Sequence, residues 1–124
     1  MIRITRKEFL KRYFDFMVIN NKIKLSKREI EVLVEIMFFN YGKLGGESPF
    51  KGEGRKEIRK SLDLSSQNYA ILLNNLCSKG ALIKGQGLST YNLHYKFSEL
   101  YYKIMQLSQI NLSESYELID ERLD

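Results

Sequence analysis

Apolar side chains recur at helical spacing in six stretches of this chain, and one strand-like alternation separates the fourth stretch from the fifth. Residues 5–18 place Phe9, Tyr13, Phe16 and Met17 on one stripe, which Leu10 and Phe14 widen, while Lys7, Lys11 and Arg12 fall on the other side. Thr5 is a capping residue here, with Glu8 three positions on to complete a capping box. Asn20-Asn21 then breaks the pattern. The second stretch, residues 26–40, opens on another box, Ser26 with Glu29, and repeats Ile30, Leu33, Val34 and Met37 at i, i+3, i+4 and i+7. Ile36, Phe38 and Phe39 make it apolar nearly all round, the pattern of a helix at the centre of a fold.

Residues 42–54 are irregular, holding five of the eight glycines and the only proline, and a short strand is expected at 48–51. A short helix over 55–62 turns Ile58 and Leu62 inward. After a tight Asp63-Leu64-Ser65 connection, a helix over 66–79 turns in Tyr69, Leu72, Leu73 and Leu76, and Gly80 supplies a left-handed cap. Residues 81–83 read as a strand, 84–87 as a turn and 89–96 as the returning strand. In that last strand Tyr91, Leu93 and Tyr95 alternate with Thr90, Asn92, His94 and Lys96. A helix over 98–107 follows. A short acidic helix over 113–123 aligns Leu112, Tyr116, Ile119 and Leu123, so the chain divides into a domain at 1–107 and an acidic helical tail at 108–124. The fold class is mainly α with a small β-hairpin.

This order of helix, loop, helix, three-residue turn, helix, glycine and hairpin resembles the winged helix-turn-helix superfamily, including bacterial regulators of the multiple-antibiotic-resistance type, over about residues 26–97. The residues that carry the resemblance are Ile58 and Leu62, Leu64-Ser65 in the turn, Tyr69, Leu73 and Leu76, then Lys79-Gly80-Ala81-Leu82-Ile83. The phrase L-x-x-K-G-x-L-I has a physical logic: Leu76 anchors the helix, Gly80 turns the chain and Leu82 carries the strand back over the core. These are core residues, and they specify a fold better than a function.

The resemblance implies that the helix over 66–79 enters the major groove of DNA. Ser66, Gln67, Asn68, Ile71 and Asn75 would then meet base edges, with Gln67 and Asn68 suited to adenine and Ile71 to a thymine methyl. Contacts to the DNA backbone fall to Arg55, Lys56, Arg59, Lys60, Ser65, Lys79, Lys84 and Gln86. One feature departs from the family pattern: no Lys or Arg stands between Leu62 and Ser78, so every cation flanks the recognition helix.

Charge fits a polyanionic partner. The net charge of +5 combines +9 over residues 1–105 with −4 over 106–124, where Arg122 faces Glu114, Glu117, Asp120, Glu121 and Asp124. The expected partner is double-stranded DNA, bound by a small regulator of transcription or replication that forms a homodimer through its terminal helices. The alternative is a winged-helix module for protein–protein assembly, such as a phage structural or replication-complex component, favoured by the outward Ile71 and the amphipathic helices at both ends.

No chemistry of catalysis stands out, and no enzyme is expected. The phosphate-loop patterns G-x-x-x-x-G-K-[ST] and G-x-G-x-x-G do not occur. A single His94 and a single Cys77 supply neither a metal set nor a nucleophile–base pair, so no cofactor or metal is expected. The apolar runs are too short to span a bilayer and no secretory leader is read, so no membrane partner is expected, and the expected location is the cytoplasm, or a virion if the chain is phage-encoded.

Overall fold

The computed structural model describes residues 2–42 and 48–84, together with 91–93, 99, 100, 103, 106, 109–111 and 115–119. Their order is β1 (Ile2–Thr5), α1 (Arg6–Ile19), α2 (Lys27–Gly42), α3 (Gly52–Leu62), α4 (Ser66–Ser78), β2 (Leu82–Lys84), β3 (Tyr91–Leu93), β4 (Gln109–Asn111) and β5 (Ser115–Ile119). Among the described residues the architecture is mainly α, with four full helices.

Three of the helices, α1, α2 and α4, start where the caps lie in the sequence. Thr5 Oγ1 accepts the Glu8 N–H at 3.1 Å. At α2 the box is reciprocal: Ser26 Oγ accepts from the Glu29 N–H at 3.2 Å, and Glu29 Oε1 accepts from the Ser26 N–H at 2.7 Å. Ser65 Oγ accepts the Asn68 N–H at 3.1 Å and opens α4. Three of the helices also end alike, each on a residue with positive φ: Asn21 (57°), Asp63 (54°) and Gly80 (80°). At each, two backbone N–H groups reach back to the last carbonyls, for example Ala81 to Leu76 O at 3.0 Å and Gly80 to Cys77 O at 3.1 Å.

As its composition requires, α2 is the central element. Val32, Leu33, Val34, Ile36 and Met37 are wholly buried, and Phe9, Leu10 and Phe14 of α1, Ile58 of α3, and Tyr69, Leu73 and Leu76 of α4 close around them. Each such large apolar side chain contributes about 1.5–3 kcal/mol by leaving water. Lys7 of α1 reaches across to Glu35 of α2 at 3.1 Å.

Four expectations are corrected. The stripe expected on α1 divides: Phe9, Leu10 and Phe14 are buried, whereas Phe16 is 62% exposed, because α2 covers only one side of the helix. No strand forms at 48–51. Ser48 Oγ accepts the Phe50 N–H and the Pro49 carbonyl accepts the Tyr69 hydroxyl, so these backbone groups close a turn. Helix α3 therefore begins at Gly52, three residues earlier than expected. Lastly, the acidic tail is not helical at 115–119: β5 pairs parallel with β1, Ile2 opposite Tyr116 and Ile4 opposite Leu118, and antiparallel with β4. Hydrogen bonds to a strand more than a hundred residues away override the local helical spacing.

After Gly80, Ala81 and Leu82 are buried and β2 pairs antiparallel with β3, Leu82 opposite Leu93 and Lys84 opposite Tyr91. Residues 85–90, including Gln86, and residues 94–98, including His94, lie outside the described residues. Glu99, Leu100, Lys103 and Gln106 are helical, within the helix expected at 98–107. No helix among the described residues is long and apolar enough to cross a membrane.

Candidate nucleic-acid interface

The two faces of α4 are chemically opposite. Tyr69, Leu73 and Leu76 are buried with at most 1% exposure, which fixes the roll of the helix. That roll leaves Ser66, Gln67, Asn68, Ile71 and Asn75 all exposed, Ile71 at 49%. Gln67, Asn68, Ile71 and Asn75 thus share one open face of the helix, while Ser66 is exposed at its first residue, in line with the buried Leu73. Asn74 is exposed on that face too; its place three residues after Ile71 was the signal that would have included it.

Helix α4 packs against α2 and β2, and the connection that leads into it from α3 is held by side-chain bonds. Three arginines donate to carbonyls around this connection. Arg28 Nη2 donates to Leu62 O at 2.8 Å, and Arg59 Nε donates to Leu64 O at 3.3 Å. Arg55 donates from Nη1 to Phe50 O at 3.3 Å and from Nη2 to Ser66 O at 3.2 Å. The Arg55 guanidinium also lies 5.2 Å from the centre of the Tyr69 ring, whose hydroxyl is tied to Pro49 O at 2.9 Å. Burial pushes the Tyr69 hydroxyl far above its usual range, so it stays protonated and donates.

The expected backbone-contacting residues therefore fall into two groups. Arg55, Arg59 and Lys79 hold structural bonds. Lys79 Nζ meets Glu29 Oε1 at 2.6 Å, and that carboxylate is 3% exposed. Burial alone would raise the Glu29 carboxyl, but the Lys79 ammonium and the Ser26 backbone N–H outweigh it and hold it below the ordinary range. Lys56, Lys60, Ser65 and Lys84 are exposed, with Lys56 3.8 Å from Glu53 in a surface pair of little strength. The Ser65 hydroxyl, while accepting from Asn68, keeps its own hydrogen to donate outward. The first N–H groups of α4 point the same way, where a helix start favours an anion.

Burial raises the Cys77 thiol, despite the charge of Lys84, so it rests as a thiol. Among the described residues no three His, Cys, Asp or Glu side chains gather to hold a metal. No protein-family model matches the chain, and no curated protein or solved structure matches it either.

Proposed function

We propose that the chain is a winged-helix DNA-binding protein, a small regulator of transcription or replication, with α4 as its recognition helix and β2–β3 as part of its wing. One observation carries this: Gln67, Asn68, Ile71 and Asn75 stand open on one face of a capped helix whose opposite face is locked in the core. Gln67 and Asn68 have the paired donor and acceptor that adenine offers in the major groove. Lys56, Lys60 and Lys84 supply phosphate contacts on either flank.

Binding to a randomised duplex pool across a salt gradient tests this. Gln67→Ala and Asn68→Ala are each expected to lower the preference for a selected duplex over a scrambled one about tenfold. Lys60→Ala and Lys84→Ala should weaken both duplexes alike and reduce the salt slope by about 0.9 each. Binding indifferent to all four changes would exclude α4 as the reading element.

A second function, assembly, is favoured by a separate observation. Phe16 and Ile19 are 62% and 78% exposed on the outer face of α1, beside Arg12 and Asp15. Large apolar side chains at i and i+3, beside Asp15 and an Arg12 already paired with Glu8 at 3.5 Å, suit packing against the same face of a second copy. Sedimentation should then show a dimer that Phe16→Ser with Ile19→Ser converts to monomer. A wild-type monomer at high concentration excludes this interface.

A further inference from the structure

The sequence offers Arg55 as a phosphate contact, but its geometry serves another purpose. Its fork spans two backbone carbonyls from different segments, Phe50 O in the turn before α3 and Ser66 O in the first turn of α4. The guanidinium carbon lies over the Tyr69 ring, and Tyr69 is fixed by full burial and by its bond to Pro49 O. Around the same connection Arg28 and Arg59 hold the carbonyls of Leu62 and Leu64. The bond to Ser66 O lies at the start of the helix that carries Gln67 and Asn68, and these bonds together set where their face stands relative to α3 and its lysines.

We infer that Arg55 is a positioning residue that sets base discrimination by fixing the first turn of α4, and that it is not itself a phosphate contact. This rests on the duplex-binding function proposed above. Two consequences separate it from a phosphate contact. A residue that touches no phosphate leaves the salt slope unchanged when it is lost. A lysine restores a phosphate contact, being a point charge, but cannot bridge two carbonyls and stack on a ring as a planar fork does.

The test compares the wild-type chain with Arg55→Met and Arg55→Lys on two duplexes of equal composition, one selected by the wild type from a randomised pool and one scrambled. Both variants are expected to lose about tenfold in the ratio of the two affinities, with an unchanged salt slope. A purely structural role would reduce the folded fraction, weaken both duplexes equally and leave the ratio unaltered, which overturns the inference. Rescue by Arg55→Lys, or a slope lowered by about 0.9 in Arg55→Met, overturns it in favour of a phosphate contact. Should Arg55→Met fail to fold, Arg55→Lys still decides, because it alone keeps the charge without the fork. A wild-type chain that selects no duplex removes the proposed function itself, an outcome visible before any variant is measured.

Discussion

Gly54→Ala is expected to destabilise the fold by about 3 kcal/mol, although alanine is the better helix former by about 1 kcal/mol. Gly54 lies inside α3, buried, where the backbone of Ser48 crosses the helix. A Cβ there would collide with the Ser48 carbonyl oxygen and stand 2.8 Å from Phe39 Cζ. Neither neighbour yields cheaply. The carbonyl belongs to the backbone next to Pro49, whose own carbonyl receives Tyr69, and Phe39 is only 9% exposed. Relief requires lifting the 48–50 turn from α3, which also loosens Phe50 and the Arg55 bridge. Urea unfolding of the variant and wild type measures the difference; a midpoint equal to or above the wild type would show that the turn does not press on α3.

Lys79→Met is expected to cost about 2 kcal/mol, because it leaves the Glu29 carboxylate buried with its charge uncompensated. The figure stays below that of a fully buried pair, since Lys79 is 39% exposed and water screens part of the attraction. Glu29→Gln keeps an acceptor for the Ser26 N–H but loses the charge, and the double variant should cost less than the two single changes added together. The pH dependence follows from the direction of the Glu29 shift. Its folded pKa lies below the unfolded value, so its stabilisation is complete above the ordinary pKa of an unfolded glutamate. It is lost as pH falls through the folded value. Unfolding midpoints from neutral to acid pH should therefore fall more steeply in the wild type than in Glu29→Gln. Parallel curves would mean that the carboxylate is not held by this pair.

The pair also illustrates what was legible in advance. Ser26 and Glu29 announced a capping box by their spacing, and the box formed as expected. Nothing local announced that the same Glu29 would meet Lys79, fifty residues on, which the sequence offered as a phosphate contact. Arg55 and Arg59 are parallel cases: a guanidinium looks the same in a sequence whether it serves a phosphate or a carbonyl. The open face of α4 was legible for the opposite reason. Once Tyr69, Leu73 and Leu76 are taken as inward, a helical period places Gln67, Asn68, Ile71 and Asn75 outward with no further information.

Period and capping, both matters of a few neighbouring residues, thus determined α1, α2 and α4, the burial of α2 and the outward set on α4, and period alone the inward Ile58 of α3. Only the tertiary structure decided the strand at 115–119, the turn at 48–50 and the occupation of Arg55, Arg59 and Lys79. The strand, the Tyr69 bond to Pro49 and the Lys79 pair depend on partners distant in the chain, whereas Arg55 and Arg59 each reach a carbonyl five residues off in a turn whose shape the fold sets. A short segment of mixed pattern takes the backbone partner that folding brings to it, and a long cation takes the nearest oxygen, and neither choice is encoded within its own few residues.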